Sequence, residues 1–356
     1  MKFNFLSKTI SAFGLDVSGS SLKVVQLRGQ GKRLQLKSYS EAVLPKGTVI
    51  SDAITDPKTF EFILKQALDK PGFGKIDTNY VVASLPESKS FVRVIQIPQM
   101  SDAEADNAVP FEAESFIPMP IDQVYLDWQK IGGQSGEKMN ILMIASPKDF
   151  VDKYLDVLDK AGLSTAAFEV ESQSFLRAAL PKGSSETCLL ADLGAVRSSL
   201  IMVENGGLQF TSTIPIAGNT FTESIARALG VASGKAEEIK KKVGIANTGE
   251  YPGIKTELLP VLNNLSAEIK NILKFHGEHS AQKADRVIIS GGSGRLKNLP
   301  DFLAAQLADA GILKVELADP WQNLNIDSLG QLPGADSLGY SAAIGLAARG
   351  VDYSDN

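Results

Sequence analysis

A short apolar strand followed by an aspartate and a turn of small residues occurs twice in this chain of 356 residues. The first copy reads FGLDVSGSSLK at residues 13–23, and the second reads LLADLGA at residues 189–195. Small residues let backbone N–H groups approach phosphate oxygens, and an aspartate at the strand end can hold a hydrated Mg²⁺ ion. The repeat therefore predicts two lobes of common design that close on one nucleotide.

A hairpin pattern follows each copy. Apolar and polar residues alternate at 21–27 and 33–39 around the sequence GQG, and strand-like runs recur at 197–203 and 208–214 around NGG. Alternation indicates strands with one buried face, and glycine-rich turns favour hairpins between them. We interpret the two regions as a weak internal duplication.

A block at residues 80–165 changes this pattern. Apolar runs predict strands at 80–83, 90–97, 124–131 and 140–145. Ser101 and Glu104 form a capping-box pattern for a helix, in which Pro110 marks a kink or a second start. The apolar residues of this helix are Ala105, Ala108, Phe111 and Phe116. With another helix predicted over 147–161, the block is typical of a compact α+β insertion.

Composition narrows the function. The chain has 36 basic and 41 acidic side chains, a formal charge of −5, which disfavours nucleic-acid binding. The lone Cys188 lies in an apolar run, so we expect a buried thiol and no internal disulfide. No apolar run approaches the roughly 18 residues of a membrane span, and residues 1–13 lack a continuous signal-peptide core. We therefore expect a cytoplasmic protein.

Two further segments carry candidate binding residues. A predicted strand at 286–290 runs into Gly291, Gly292 and Ser293, where glycines permit close approach of a base or an α-phosphate. A βα turn that needs positive φ explains the same residues. Glu237 and Lys240 share a helix face and are candidates for the ribose hydroxyls and the base edge, or for a solvated surface ion pair.

The order of these four segments resembles the superfamily of actin, sugar kinases and heat-shock chaperone ATPases. The resemblance covers nearly the whole chain and includes two connecting helices near 169–178 and 338–348. It implies an α/β, bilobed actin-like ATPase fold with a small α+β domain inserted in the first lobe.

Within this superfamily, the inserted segment resembles the PilM family, with the domain arrangement of the cell-division protein FtsA. The matching segments include VASLP at 82–86, FVRVI at 91–95, IPQM at 97–100, FEAE at 111–114 and FIPMPI at 116–121. The resemblance implies a cytoplasmic protein that binds ATP with Mg²⁺. It also implies a partner, the N-terminal cytoplasmic peptide of a PilN-type inner-membrane protein, in a type IV pilus, competence or secretion platform. Contact with the inner membrane is then indirect, through partners, and self-association is possible.

The predicted division of the chain follows from this resemblance. The first lobe covers 1–79, the insertion 80–165, a connecting helix and return 166–185, the second lobe 186–335, and a second connecting helix with the tail 336–356. Asp16 and Asp192 are the expected metal-facing carboxylates. The expected nucleotide-binding residues are Ser18, Gly19, Ser20, Ser21, Lys23, Gly194, Ala195, Glu237, Lys240, Gly291, Gly292 and Ser293.

Hydrolysis is doubtful on the sequence. The second turn continues as AVRS at 195–198, where superfamily hydrolases commonly have Gly-Gly-Thr. Glu171, at the first connecting helix, is the best candidate for a water-orienting acid, and it can equally order Mg²⁺ waters. We therefore expect slow or absent turnover, with the nucleotide as a structural ligand or switch.

Alternatives remain open at this stage. A small-molecule kinase needs a positioned base near the γ-phosphate, and no further strand-end aspartate supplies one. An FtsA-like polymerising protein needs a C-terminal amphipathic helix, whereas this sequence finishes VDYSDN. Candidates for the peptide groove are Phe111, Phe116, Ile117 and Met119, which core packing explains equally well. His276 and His279 are read as surface or helix-end residues rather than zinc ligands.

Overall fold

The computed structural model describes residues 11–29, 34–135, 137–246, 250–251, 253–324 and 335–352. Several parts of the chain named above lie outside the described residues: residues 30–31 of the first hairpin turn, most of the segment 1–13, residues 247–249 and 252 of the second lobe, and the tail residues 353–356. The chain divides into two units. Unit 1 comprises Met1–Lys182, Pro320–Pro333 and Tyr340–Asn356, and unit 2 comprises Gly183–Asp319 and Gly334–Gly339.

Unit 1 contains the whole first half of the chain. Its elements are, in order, β1 (Phe13–Val17), β2 (Ser21–Arg28), β3 (Gln35–Val43), β4 (Val49–Ile50), β5 (Ala53–Ile54), α1 (Pro57–Asp69), β6 (Phe73–Gly74), β7 (Tyr80–Leu85), β8 (Phe91–Pro98), α2 (Asp102–Glu114), β9 (Val124–Ser135), β10 (Lys138–Pro147), α3 (Lys148–Lys160), β11 (Ser164–Val170) and α4 (Glu171–Ala179). Asp56 caps the start of α1, because its carboxylate accepts a hydrogen bond from the Thr59 backbone N–H.

The strands and α-helices of unit 2 follow in the described part of the chain. They are β12 (Cys188–Leu193), β13 (Ser198–Glu204), β14 (Gly207–Ile214), α5 (Gly218–Leu229), α6 (Ser233–Val243), α7 (Ile254–His279), β15 (Arg286–Ser290), α8 (Leu299–Leu307) and β16 (Lys314–Leu317). The chain then returns to unit 1 and forms α9 (Ser341–Asp352).

The central sheet of unit 1 has the strand order β11-β7-β1-β2-β3-β6. β1 pairs parallel with β7 and antiparallel with β2, and β7 pairs parallel with β11. Successive residues of β2 enter opposite cores, because side chains alternate across a strand. Val24 packs with α1 and α3, whereas Val25 packs with α9. The first strands of the chain therefore share a core with its last described helix.

Unit 2 repeats this strand order. Its strands run β16-β15-β12-β13-β14, where β12 pairs parallel with β15 and antiparallel with β13. The remaining pairs, β15 with β16 and β13 with β14, also have the directions of their counterparts in unit 1. The internal duplication is confirmed. The aspartates Asp16 and Asp192 are both the next-to-last residue of their strands, β1 and β12.

The insertion is smaller than the sequence indicates. β8, β10 and β9 pair in that order and share a core with α2. We predicted its start at residue 80, but β7 lies inside the six-stranded sheet, and α3 packs on the same sheet with α1. The apolar run of β7 is that of a parallel strand buried on both faces, which periodicity alone does not assign to one sheet or another.

Helix α2 has the predicted capping box, with the Ser101 hydroxyl and the Glu104 carboxylate bonded to each other's backbone N–H. It runs through Pro110 without a second start. Its buried residues include Ala105 and Val109, but Phe111 is 75% exposed. The prediction that Phe111 belongs to the apolar face of this helix is wrong, because the buried face is made by smaller side chains one turn apart.

Cys188 is buried at the start of β12, as predicted. Burial raises the pKa of its thiol to about 12, because the thiolate cannot be solvated there. Such a thiol is unreactive while unit 2 stays folded.

A buried ion cluster ties three elements of unit 1 together. The Glu169 side chain at the end of β11 is 1% exposed and accepts two hydrogen bonds of 2.6 Å from the Arg177 guanidinium of α4. Arg349 of α9 lies 3.1 Å from the same carboxylate. Both arginines remain about one third exposed, so only the acid is fully removed from water.

We predict that Glu169→Gln destabilises unit 1 by about 2 kcal/mol, because two guanidinium groups lose their shared counter-charge. Both tryptophans, Trp128 and Trp321, belong to unit 1, so urea unfolding followed by tryptophan fluorescence measures this unit. Asp156→Asn is the control: it removes an exposed i,i+4 pair with Lys160, and we expect a change within about 0.5 kcal/mol. Equal effects of the two substitutions would contradict the role assigned to the cluster.

Candidate functional site

Two of the predicted turns meet in unit 2. The Ser293 hydroxyl, after β15, donates a hydrogen bond of 2.7 Å to the carbonyl oxygen of Gly194, after β12. The backbone N–H of Gly218, the first residue of α5, donates to the same carbonyl at 2.9 Å. The structure therefore brings Asp192, Gly194 and Ser293 together where two parallel strands end, the edge at which open α/β sheets bind ligands.

Gly291 fits this site only as glycine. Its φ is +79°, and a Cβ atom would lie 2.4 Å from the Leu193 carbonyl oxygen and 2.5 Å from Oδ1 of Asp192. The turn that needs positive φ is thus present at Gly291. The next residue, Gly292, is exposed, and a Cβ there would meet only the end of the Arg295 side chain, at 4.0 Å. The backbone of Gly292 is therefore open to a flat group.

Glu237 and Lys240 of α6 form a partly buried pair at 2.6 Å rather than a solvated surface pair. The Lys240 ammonium also donates to the carbonyl oxygen of Gly218 at 3.0 Å and to the Thr222 hydroxyl at 2.9 Å. Oε2 of Glu237 lies 2.6 Å from the same hydroxyl. This network connects α6 to the first turn of α5.

The charges of this pair respond to burial. Burial lowers the pKa of Lys240, and the Glu237 carboxylate opposes that shift only in part. For Glu237, burial raises the pKa, but hydrogen bonds from Lys240 and Thr222 outweigh it, and the pKa lies below its usual value. The Glu237 carboxylate is therefore charged at neutral pH.

The turn of unit 1 is held by its own serines. The Ser18 hydroxyl donates to the Ser21 carbonyl oxygen at 2.9 Å, and the Ser21 backbone N–H donates to the Ser18 hydroxyl at 3.2 Å. Lys23 lies opposite Asp16 in the β1–β2 pair, and its ammonium is 3.3 Å from the Ser21 hydroxyl and 3.5 Å from the Glu41 carboxylate. Serine side chains here shape the turn, and the lysine adds positive charge beside it.

A buried tyrosine lies near the predicted acids of unit 1. The Tyr154 hydroxyl of α3 is buried and has no hydrogen-bond partner among the described residues. Burial raises its pKa well above the usual value, and the negative charges of Asp16 and Glu171 raise it further. The Tyr154 hydroxyl therefore lies within range of the charges of both Asp16 and Glu171.

The remaining predicted residues are placed on the turns as expected from their sequence positions. Gly19 is half-buried and Ser20 exposed, and the Ser20 carbonyl oxygen accepts from the Leu44 N–H at 2.9 Å. Ala195 is exposed, and its carbonyl oxygen accepts from the Asn219 N–H at 2.8 Å. Each unit thus assembles its own set of residues. That the two sets enclose one nucleotide stays a prediction.

Sequence reasoning missed Gly218, Thr222 and Tyr154. A glycine at a helix start with a threonine four residues later is a usable signal, because the hydroxyl can bond to the carbonyl four residues back, as it does here at 2.9 Å. A Cβ on Gly218 would lie 2.4 Å from the Ser293 hydroxyl, so the residue allows close approach of two elements. Tyr154 carries no such signal, since its aromatic ring reads as core.

His276 lies in the last turn of α7, the helix-end position that was one of the two expectations, and it is buried rather than exposed. Its Nε2 lies 2.8 Å from the Glu204 carboxylate, which also accepts a hydrogen bond from the Ser280 hydroxyl at 2.6 Å. His279 is exposed and lies against the ring of Phe275. The buried histidine therefore joins the end of α7 to the end of β13.

A family model described as type IV pilus assembly protein PilM matches residues 14–351. The chain belongs to the PilM family. A solved structure of a PilM–PilN type IV pilus biogenesis complex is similar to it, with 26% identity, a TM-score of 0.82, and coverage of 96% of this chain and 99% of that chain. The predicted PilM resemblance is confirmed.

More distant relatives agree on the fold. FtsA of Streptococcus pneumoniae is 23% identical over 81% of this chain and 72% of its own length. FtsA of Bacillus subtilis is 28% identical over 48% of this chain, and the match spans only 40% of that protein. MreB5 of Spiroplasma citri, solved with ADP, has 13% identity and a TM-score of 0.54, with 94% of each chain covered. The predicted α/β actin-like fold of this PilM family protein is confirmed.

In the described part of the PilM family chain, every helix is too short or too polar to cross a bilayer.

We predict that Gly291→Ala destabilises unit 2 by at least about 2 kcal/mol, because a Cβ at positive φ would press on two oxygen atoms. Far-UV circular dichroism during urea unfolding follows both units, whereas tryptophan fluorescence follows unit 1. A circular dichroism transition without a matching fluorescence change therefore reports the unfolding of unit 2. The control is Gly234→Ala on α6, where an added Cβ would have no neighbouring atom within 4 Å. We expect this substitution to raise the stability of unit 2 by up to about 1 kcal/mol. A neutral Gly291→Ala variant would show that the turn is less constrained than its geometry indicates.

Proposed function

We propose that this PilM family protein is an ATP-binding component of a type IV pilus assembly platform, which holds the N-terminal cytoplasmic peptide of a PilN-type membrane protein. The observation that supports nucleotide binding most strongly is the junction at the Gly194 carbonyl oxygen, where two small-residue turns and the start of α5 converge. Nucleotide bound to an actin-like relative, MreB5 with ADP, agrees with it.

The residues present fit a nucleotide with its metal ion. The open backbone at Gly292 can lie against the base or the α-phosphate, and the partly exposed Glu237 carboxylate can accept ribose hydroxyls. Asp16 and Asp192 can bond to water molecules around Mg²⁺. When bound, Mg²⁺ neutralises phosphate charge. Lys23 adds positive charge at the first turn.

Slow or absent turnover is the proposed behaviour of the site. Exposed Ala195 and Val196 and the longer Arg197 occupy the second turn, so hydroxyl groups come only from Ser198 and Ser199. Ser198 is buried and donates its hydroxyl proton to the Ile216 carbonyl oxygen at 2.5 Å. Its oxygen is thereby committed to the fold. We propose that nucleotide stabilises the folded protein by mass action rather than by being consumed.

The proposed peptide site is a cavity of about 400 Å³ where the insertion meets the start of α3. Its lining includes Tyr125, Trp128 and Lys148 with the acids Asp106 and Asp127. The Trp128 indole N–H donates to Asp106 at 3.1 Å, so the ring is held in place. Because two acids and one lysine line it, the cavity favours a peptide that combines apolar anchors with positive charge.

The strand β9 borders this cavity and offers a second means of recognition. β9 pairs with β10 and is the last strand in its sheet order, so an extended peptide can pair with its outer edge. Of the groove residues predicted from sequence, Phe111 and Phe116 are exposed, whereas Ile117 is buried in the core of the insertion and Met119 packs against it. Of these four residues, we propose the two exposed phenylalanines for peptide contact, in addition to the residues that line the cavity. Membrane attachment then comes through the PilN-type partner.

We predict that Asp16→Asn and Asp192→Asn each weaken MgATP binding by about tenfold or more, because each removes a charged acceptor for the waters of Mg²⁺. Titration calorimetry with MgATP and with metal-free ATP measures the effect, and the loss should appear only with Mg²⁺. Asp156→Asn, on the exposed face of α3, serves as the control. Unchanged MgATP affinity in both variants would remove the metal role.

We also predict that Trp128→Ala weakens binding of a synthetic PilN-type N-terminal peptide by about tenfold, since an aromatic anchor is lost. Fluorescence anisotropy of a labelled peptide measures the affinity. Tyr125→Ala, in the same cavity, should act in the same direction, whereas Phe62→Ala removes an exposed ring of α1 and should have no effect. Full binding by both cavity variants would place the peptide elsewhere.

A further inference from the structure

The ammonium group of Lys240 is fully used within unit 2. Its three protons have three acceptors, the Gly218 carbonyl oxygen at 3.0 Å, the Thr222 hydroxyl at 2.9 Å and Glu237 Oε2 at 2.6 Å. The residue is buried, at 8% exposure. We infer that Lys240 makes no contact with the nucleotide and is instead a positioning residue that couples the ribose end of the site to the phosphate end. This inference rests on the proposed nucleotide binding.

At the ribose end, Lys240 fixes one oxygen of Glu237. Oε2 of this carboxylate lies 2.6 Å from both the Lys240 ammonium and the Thr222 hydroxyl. Oε1 lies 3.5 Å from the exposed Lys241, a long contact to a mobile type of side chain. The oxygen presented to ribose is thus Oε1, and its direction is set by the two bonds that hold Oε2.

At the phosphate end, Lys240 acts through Gly218. The carbonyl oxygen of Gly218 accepts from Lys240, and the N–H of Gly218 donates to the Gly194 carbonyl oxygen at 2.9 Å. A Cβ on Gly218 would lie 3.4 Å from the Lys240 ammonium and 2.4 Å from the Ser293 hydroxyl. One glycine is therefore enclosed between the lysine and both turns, so a shift of the lysine moves the turn at Gly194.

Thr222 completes the coupling. Its hydroxyl accepts a hydrogen bond from Lys240, and its single proton has Glu237 Oε2 at 2.6 Å and the Gly218 carbonyl oxygen at 2.9 Å within reach. Loss of either Lys240 or Thr222 leaves buried acceptors without a donor, and buried polar networks of this kind respond as a unit. The two ends of the site should therefore weaken together.

The test separates the two ends by ligand. MgATP engages both ends, whereas magnesium tripolyphosphate engages only the phosphate end. We expect Lys240→Met to weaken both ligands by about tenfold, and Glu237→Gln to weaken MgATP alone. Lys235→Met, which removes an exposed lysine of the same helix paired with Glu238, is the control and should leave both affinities within about twofold. A Lys240→Met variant that loses MgATP but keeps tripolyphosphate would show a direct nucleoside contact and overturn the inference.

Hydrogen exchange of the ligand-free protein provides a second measurement. In Lys240→Met and in Thr222→Val, amides at residues 216–224 should exchange about tenfold faster, because the hydrogen bonds that hold Gly218 are lost. Lys235→Met should leave this exchange unchanged. If the wild-type protein bound neither ligand, the proposed function would be refuted. The hydrogen-exchange data would still test the coupling between the two ends of the site. Unchanged exchange in both network variants would refute the coupling itself.

Discussion

The carbonyl oxygen of Gly194 accepts two hydrogen bonds, and the predicted nucleotide-binding turns of unit 2 meet at this atom. One bond comes from the Ser293 hydroxyl and the other from the Gly218 N–H. Removing the donors to a partly buried carbonyl group destabilises the folded state. The turns after β12 and β15 and the start of α5 therefore cannot move independently. The same hydrogen bonds that stabilise the fold therefore also fix the geometry of the proposed nucleotide site. The network through Lys240 connects α6 to these turns.

The repeated strand order explains why two unlike turns occupy matching places. Asp16 lies opposite Lys23 in the β1–β2 pair, and Asp192 lies opposite Ser199 in the β12–β13 pair. Equivalent positions therefore carry a cation in unit 1 and a hydroxyl in unit 2. The fold duplicates the backbone and leaves the side-chain chemistry to each unit.

Local signals predicted local structure well. The Ser101–Glu104 capping box and the strand at 286–290 both lie where the sequence indicated. Each of these depends on residues only a few positions apart. The glycine requirement at Gly291 was also readable, because a strand followed by consecutive glycines needs few explanations other than a tight turn.

Long-range chemistry was not readable in this way. The Glu169 cluster needs Arg349, and the assignment of β7 to the central sheet needs β11, both far along the chain. Pattern alone showed Glu237 and Lys240 on one helix face but not Thr222, which turns a surface pair into a buried network. Periodicity detects burial, and it does not name the partner that buries a residue.

The return of the chain to unit 1 has a consequence for biosynthesis. Val25 and Leu27 of β2 share a core with Ala343 and Ile344 of α9, and all of unit 2 lies between them in sequence. A nascent chain leaves the ribosome from its N-terminus. Unit 2 can therefore complete nearly all of its fold before α9 is synthesised. Until then, one face of the central sheet of unit 1 is uncovered. The strands that are synthesised first are therefore covered last. During translation, the apolar face of this sheet is a site at which a chaperone can act.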